Sequence, residues 1–246
     1  AGQLLARNRQ GEQAETFVYD GLGRLVASSD VHGGTTTIVF ADTALTTTVT
    51  TASGYVSVSA YNKAGDLISR SDSGTNTTGG TASYQYDADG RLRIVTDATG
   101  RSAYAVYDKA GRKVADINHL GEMVAYRYDA ADRVIAATRY ATVLSAGQIA
   151  LLADPNSTAE LSALLPTANA ADMWTWTVYN DGGRVIQSIA SDGSVASYAY
   201  DQSDQLIRTT SAYTRLSGTE RDALKLAPPT APVTVAPHAK DVTARR

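Results

Sequence analysis

Apolar and polar residues alternate in short runs along most of this chain, which is the pattern of β-strands rather than of helices. The clearest runs carry two aromatic residues two positions apart, so that both lie on one face of a strand. Such pairs are Phe17 and Tyr19, Tyr84 and Tyr86, Tyr126 and Tyr128, and Tyr198 and Tyr200. A turn pattern with Asp and Gly follows these runs, and then a second apolar run begins. The pattern predicts an all-β fold built from antiparallel hairpins.

The hairpin pattern repeats with a period of 21 residues. Tyrosines that precede Asp or Asn lie at positions 19, 61, 86, 107, 128, 179 and 200, and three of these spacings are 21. The spacing of 42 after Tyr19 is two units, with an eroded copy at Phe40–Leu45. The spacing of 25 after Tyr61 is one unit plus an insertion that we place at Ser73–Gly80. The spacing of 51 after Tyr128 is one unit plus 30 residues.

Each position of the repeat has a physical interpretation. Asp or Asn after the tyrosine can cap a turn, and the glycine three residues later can take the left-handed conformation that ends the turn. Asp132 and Asp204 occupy the glycine position in two copies, and Asp tolerates that conformation better than most residues. We therefore predict a structural role for the motif residues. These are Tyr19, Asp20, Gly23, Arg24, Tyr86, Asp87, Gly90, Arg91, Tyr107, Asp108, Gly111, Arg112, Tyr128, Asp129, Arg133, Tyr179, Gly183, Arg184, Tyr200 and Asp201.

The motif, clearest at Gly80–Leu92 and Gly121–Val134, resembles the YD repeat of the Rhs and Tc-toxin C-component families, which teneurins share. Repeats of this kind cover residues 19–140 and 174–210. The resemblance implies a ribbon of antiparallel hairpins that curves into a hollow shell. In toxin members that shell encloses a C-terminal toxic domain, and in teneurins it forms part of an adhesion ectodomain.

Residues 141–173 interrupt the repeat with a helical pattern. Ser145–Gln148 and Ser157–Glu160 each have the hydroxyl and the later Gln or Glu of a capping box. Apolar residues follow at helical spacing, namely Ile149, Leu152, Leu161, Leu164 and Leu165. Ser217–Glu220 is a third capping box, 72 residues after the first, so the insertion belongs to a larger repeated module.

We therefore divide the chain into hairpin repeats at 1–140, a helical insertion at 141–173, further hairpins at 174–212 and a truncated second insertion at 213–246. Prolines 228, 229, 232 and 237 predict that the tail of the second insertion is extended or loosely ordered. A module of 72 residues would place the next tyrosine at 251, so we expect the chain to be a segment of a longer repeat protein.

Composition excludes several classes of function. With 22 basic and 25 acidic residues the net charge is −3, which excludes a strongly basic nucleic-acid binder. No apolar run is long enough for a transmembrane segment. The absence of cysteine excludes disulfides, zinc–thiolate sites and thiol catalysis. We expect no cofactor and no metal.

The repeated charged residues have alternative interpretations. Asp87-x-Asp89-Gly90 resembles the start of a calcium loop but lacks the later ligands, so turn capping is favoured. The arginines can form a ladder with the aspartates or recognise carboxylates of a ligand. The ladder is favoured because almost every unit repeats the pair.

Catalytic motifs are not recognisable. His32, His119 and His238 are dispersed, and no nucleophile motif accompanies them. Rhs-like toxins carry a self-cleaving aspartate motif with Asp-Pro, but Asp154-Pro155 lies in the helical pattern without the rest of that motif. We therefore expect no enzyme activity.

Trp174 and Trp176 lie two residues apart on one strand face, directly after the insertion. Such a pair can stack on sugar rings, which makes both residues candidates for ligand binding. The favoured interpretation is that they pack the helical insertion against the sheet.

Three functions follow from these patterns. The first is a structural segment in the wall of a large secreted or surface bacterial protein, where the partners are neighbouring repeats and an encapsulated toxin domain. The second is an adhesin-like module that binds a cell-surface glycan or protein. The third and weakest is a hydrolase on a propeller, with two units in each four-stranded blade.

Overall fold

The computed structural model describes residues 2–8, 11, 13–74 and 79–245. The chain forms two compact units, residues 1–104 with 154–156 and residues 105–153 with 157–246. Part of the insertion placed at Ser73–Gly80, residues 75–78, lies outside the described residues. Within the described ranges, no helix is long and apolar enough to span a membrane.

The first unit is a ribbon in which each strand pairs antiparallel with the next one along the chain. Its strands are β1 (Ala6–Arg7), β2 (Glu15–Tyr19), β3 (Leu25–Ser29), β4 (Thr35–Ala41), β5 (Thr46–Thr50), β6 (Val56–Tyr61), β7 (Leu67–Ser73), β8 (Gly80–Tyr86), β9 (Leu92–Thr96) and the beginning of β10 (Ser102–Tyr107). A propeller needs a break in pairing after every fourth strand. The uninterrupted pairing shows that the propeller hypothesis is wrong.

The second unit continues the same pattern and adds the helices. Its elements are β11 (Lys113–Ile117), β12 (Met123–Tyr128), β13 (Val134–Arg139), α1 (Ala146–Ala150), α2 (Leu161–Leu164), β14 (Met173–Tyr179), β15 (Val185–Ile189), β16 (Val195–Tyr200), β17 (Leu206–Ser211), α3 (Gly218–Leu226) and β18 (Val242–Arg245). Strands β11 to β18 pair antiparallel in sequence, including β13 with β14 across the first insertion. The predicted fold, hairpin repeats with short helical insertions, is confirmed.

Alternation of side chains gives the second unit one buried sheet face. In β12, Met123 and Ala125 are buried, and in β14, Trp176 and Val178 are buried while the residues between them are more exposed. Leu152 and Leu164 from the first insertion are also buried, at 2% and 0% exposure. The first insertion thus contributes buried apolar side chains to the second unit.

The turns have the predicted geometry. In the turn after β10, the amide of Asp108 donates to the carbonyl of Arg112, and the amide of Gly111 donates to the carbonyl of Asp108. Gly111 has φ +82°, in the left-handed region. Asp132 and Asp204 take the same region with φ +59° and +67°, as their place in the glycine position predicted. A register shift directly before the tyrosine, for example between Arg127 and Tyr128, completes the bulge.

Two of the three predicted capping boxes form. Ser145 caps α1 and Ser217 caps α3, each in a reciprocal bond with the residue three positions later. The prediction of a capping box at Ser157 is wrong. The hydroxyl of Ser157 bonds to the carbonyl of Leu151, and α2 begins only at Leu161, behind Glu160, which gives no side-chain cap.

The second insertion ends in a strand, and the segment that carries the prolines lies before it, outside regular secondary structure. β18 pairs with β17 from Ser211 opposite Val242 to Arg208 opposite Arg245. The proline-rich segment is fixed to the sheet by Gln187, whose side chain accepts from the amide of Val233 at 2.8 Å and donates to its carbonyl at 3.0 Å. The division of the chain at 140, 173 and 212 stays a prediction.

Candidate functional site

The most frequently repeated polar structure is a turn closed by an Asp and the Arg four residues later, which we call the Asp–Arg turn. In one such turn, Asp108 Oδ1 accepts from the amides of Ala110 and Arg112, both at 2.9 Å. Asp108 Oδ2 accepts from Arg112 Nε at 2.8 Å. The same bonds form in the turns of Asp20 with Arg24, Asp87 with Arg91, Asp97 with Arg101, and Asp129 with Arg133.

These bonds favour the ionised carboxylate. The backbone amide of Arg24 and then its side chain lower the pKa of Asp20, and the backbone amide of Arg133 does the same for Asp129. The carboxylates are therefore charged and already bonded within their own turns. Among the described residues, no three acidic or imidazole side chains come together as metal ligands do.

Three of the Asp–Arg turns, those of Arg24, Arg112 and Arg133, also contact the next repeat through the arginine. The guanidinium carbon of Arg112 lies 5.0 Å from the centre of the Tyr128 ring, and Arg112 Nη1 lies 2.9 Å from Asp132 Oδ1. Arg24 contacts Phe40 and Asp42 in the same way, at 4.2 and 2.6 Å. The contact with Phe40 shows that the eroded copy still takes part in the repeat.

Two further arginines follow this arrangement in the second unit. Arg184 lies 5.5 Å from the Tyr200 ring centre and 2.8 Å from Asp204. Arg133 lies 4.8 Å from the Tyr179 ring centre, and its Nη1 donates to the carbonyl of Asn180 at 3.0 Å. A cation over an aromatic face combined with a charged hydrogen bond couples each turn to the one that follows.

The tyrosine hydroxyls reach in the opposite direction, to the preceding repeat. Each donates to a strand carbonyl, from Tyr86 to Leu67 at 2.9 Å and from Tyr179 to Val134 at 3.0 Å. Tyr128 with Lys113 and Tyr200 with Val185 make the same bond. Tyrosine and arginine therefore bind consecutive hairpins together from both sides.

Where Asn replaces the turn Asp, the residue four positions later usually changes as well. Asn62 donates to Asp66 at 2.9 Å, and Asn118 donates to Glu122 at 2.7 Å. The donor and acceptor are exchanged, so that the bond is kept. We did not predict this exchange from the sequence, although it can be read there from the residue types at positions four apart.

One turn breaks that rule. Asn180 is followed four positions later by Arg184. The side-chain amide of Asn180 and the guanidinium of Arg184 are both donors, whereas the other turns pair a donor with an acceptor. Arg184 Nε is buried and has no hydrogen-bond partner among the residues that the structure describes. Asp201, the last motif Asp, has Gln205 in the arginine position and caps the amides of Ser203 and Gln205.

The two tryptophans stack on one another and pack against the second insertion. Their ring centres are 6.1 Å apart with an interplanar angle of 14°. Trp176 is 1% exposed, and its Nε1 donates to the carbonyl of Leu224 in α3 at 3.1 Å. Their partner is thus the later insertion, not the preceding one that we expected. Burial of Trp176 weighs against a role in ligand binding, which stays a prediction.

Comparisons with known proteins agree with the motif. The family model described as RHS Repeat matches residues 61–102. No curated protein matches the chain. Among solved structures, TcdB2-TccC3 is 15% identical with a TM-score of 0.34, covering 83% of this chain and 15% of that chain. The complex TcdB2-TccC3-Cdc42 gives 15% identity and a TM-score of 0.33, over 83% of this chain and 14% of that one.

A further similar structure is the Tc holotoxin pore of Photorhabdus luminescens, with 13% identity, a TM-score of 0.32, and coverage of 81% of this chain and 14% of that chain. This chain therefore spans about one seventh of the length of these structures. TM-scores this low support no argument about shape or function.

Proposed function

This chain carries YD repeats of the Rhs type, and we propose that it forms part of the wall of a β-shell like those of Rhs proteins and Tc toxins. Its function is then structural, and its nearest partners are the neighbouring repeats of a longer chain. A secreted or surface location of a bacterial protein, with a toxin domain enclosed by the shell, belongs to the same proposal.

The observation that supports a wall most directly is the repeated contact between consecutive hairpins. Arg24, Arg112, Arg133 and Arg184 each lie over the aromatic ring of the next repeat. A binding or catalytic site needs one local set of residues that differs from the rest of the molecule. Here the charged residues are used again and again for the same structural bond.

The proposal includes the absence of enzyme activity. The carboxylates of the Asp–Arg turns hold turn amides and arginines, which leaves them unsuited to acid–base catalysis. An adhesin function remains the alternative. Its best sequence argument was the tryptophan pair, and the burial of Trp176 removes one of the two rings from that role.

Cryo-electron microscopy of the native gene product tests the proposal. A wall segment predicts a hollow particle whose wall is one sheet thick and follows the repeats. A solid particle or an extended fibre without a lumen would overturn it. A glycan array probed with this chain tests the alternative. Saturable binding that is lost in the Trp174→Ala, Trp176→Ala double variant would favour the adhesin.

A further inference from the structure

The second unit has a cavity of about 680 Å³. It lies beside the point where the chain of the second insertion comes back to the sheet. Small residues of β15, β16 and β17 and of the positions next to them form its floor. They are Ser188, Ala190, Ser194, Ala196, Ser211 and Ala212. Tyr213, Arg215 and Lys240 of the insertion form its rim. The volume is in the range of small-molecule sites.

The repeated module shows why the cavity exists. Ala212 donates its amide to Val195, as Tyr140 donates to Met123 in the first module, so the two positions correspond. The pairing of β12 with β13 and of β16 with β17 likewise sets Ser211 in the place of Arg139. Small side chains in the second module thus replace a tyrosine and an arginine of the first. Both small residues line the cavity, so these replacements contribute to the space that opens there.

The rim supplies positive charge. Lys240 Nζ lies 5.0 Å from the ring centre of Tyr213, and that ring stacks on His238 at 4.5 Å, which fixes the position of the ammonium group. Arg215 is paired with Asp192 at 2.6 Å. Lys240 has no ion-pair partner among the residues that the structure describes.

The acids near the rim are already bonded. Asp241 accepts from the amides of Tyr213 and His238, at 2.8 and 3.0 Å, and thereby holds the insertion in place. Asp192 accepts from the amide and hydroxyl of Ser194 besides its bond to Arg215. The charge available to a ligand is therefore that of Lys240.

We propose that this cavity binds an acidic monosaccharide, whose carboxylate pairs with Lys240 and whose ring lies on the small residues of the floor. Ser194, Ser211 and Tyr213 line the cavity, and their side chains carry hydroxyls, which suit a polyhydroxylated body. This site goes beyond the structural role, and either proposal can fail without the other.

Titration of the whole chain with D-glucuronic acid and N-acetylneuraminic acid tests the site, followed by amide chemical shifts in NMR. Glucose and acetate are the controls, since glucose lacks the carboxylate and acetate lacks the ring. Saturable binding of at least one acidic sugar, with shifts at residues 211–215 and at Lys240, is expected. Equal binding of glucose or acetate, or no saturation by either acidic sugar, would overturn the proposal.

Two variants locate the binding. Lys240→Gln is expected to weaken it about tenfold, which is the effect of losing one charged hydrogen bond. Ala212→Tyr restores the side chain of the first module and is expected to abolish binding by filling the cavity. Lys109→Gln is the matched control, because its ammonium is exposed and lies outside the cavity. Unchanged affinity in Lys240→Gln, with unchanged thermal unfolding, would overturn the proposal even if Ala212→Tyr fails to fold.

Discussion

The guanidinium carbon of Arg112 lies 5.0 Å from the ring centre of Tyr128, a residue that belongs to the next repeat. The hydroxyl of Tyr128 in turn donates to the carbonyl of Lys113, beside that arginine. Two motif residues thus hold neighbouring hairpins together from opposite directions. Since an isolated hairpin is marginally stable in water, such contacts make a stable array from weak units.

The tyrosine hydroxyl contributes to this coupling by a single bond. We expect Tyr179→Phe, which removes the bond to the carbonyl of Val134, to lower the free energy of unfolding by about 1 kcal/mol. Urea unfolding followed by circular dichroism measures the difference. Tyr213→Phe is the control, since Tyr213 is 53% exposed and lies outside the motif. Equal effects of the two substitutions would show that the motif hydroxyl has no special role.

The mismatched turn of Asn180 and Arg184 predicts a stabilising substitution. Asn180→Asp supplies the carboxylate that the buried Arg184 Nε lacks, and we expect a gain of about 1 kcal/mol in the free energy of unfolding at pH 7. The reverse change in a matched turn, Asp129→Asn, is expected to destabilise the protein, because Arg133 Nε then loses its carboxylate acceptor. A neutral or destabilising Asn180→Asp would contradict the pairing rule.

Acid is expected to destabilise the repeats. The pKa values of Asp20 and Asp129 are lowered in the folded protein mainly by hydrogen bonds from the turn amides, and the pKa of Asp97 is lowered mainly by those from the side chains of Thr99 and Arg101. A lowered pKa stabilises the fold above the ordinary Asp pKa of about 4, and this stabilisation is lost as the pH falls through the folded-state value. The urea concentration at the midpoint of unfolding should therefore decrease steadily as the pH of the measurement falls from about 5 to about 2, a range chosen to bracket that pKa. A constant midpoint would show that the turn carboxylates contribute nothing.

Alkaline pH is expected to destabilise the fold through ionisation of Tyr126. Burial, and then its bond to Asp116, raise the pKa of Tyr126 to about 12. The neutral phenol is favoured in the folded state, so the stabilisation is complete below the ordinary tyrosine pKa of about 10 and is lost as the pH rises through 12. Burial also raises the pKa of Tyr86, Tyr128 and Tyr140, so ultraviolet titration of the phenolates should show several late-titrating tyrosines, one fewer in Tyr126→Phe. An unchanged number in that variant would contradict the assignment to Tyr126.

Alanine substitutions at two glycines allow the cost of backbone strain to be measured apart from the cost of a steric clash. Gly183 has φ +79° and open space around a Cβ, so Gly183→Ala is expected to cost about 1–2 kcal/mol from backbone strain alone. Gly193 has φ +85°, and a Cβ there would lie 2.5 Å from the carbonyl oxygen of Leu216 at the start of the second insertion. Gly193→Ala should therefore be clearly more destabilising in the same urea experiment. Equal losses would mean that the insertion does not dock at Gly193.

The sequence predicted the hairpins because each unit carries its own local signals. Tyrosine alternation defines the strand, and Asp with Gly defines the turn, so no distant contact is needed to form one unit. The same holds for the caps of α1 and α3. Ser157 failed as a cap because its hydroxyl accepts from the amide of Ala159, only two residues later, and donates to the carbonyl of Leu151, which local spacing does not reveal.

Contacts between distant segments were not predictable. Nothing near Trp176 in the sequence indicates that its indole binds the carbonyl of Leu224, 48 residues later. Likewise, the bonds of Gln187 to Val233 fix a proline-rich segment that composition alone marks as loose. The cavity beside Lys240 depends on which residues the second module has replaced, and this becomes visible only once the two modules are aligned by their strand pairing.

The central structural claim is that the sheet continues across the first insertion, through the pairing of β13 with β14. Ala137 lies opposite Thr175 in the pairing of β13 with β14. Because the chain has no cysteine, the double variant Ala137→Cys, Thr175→Cys carries one designed pair. Mass spectrometry after mild oxidation should show a disulfide there and none in Ala137→Cys, Thr177→Cys, where the separation of about 7–8 Å is too long. No disulfide in the first variant, or one in the second, would contradict the continuous sheet.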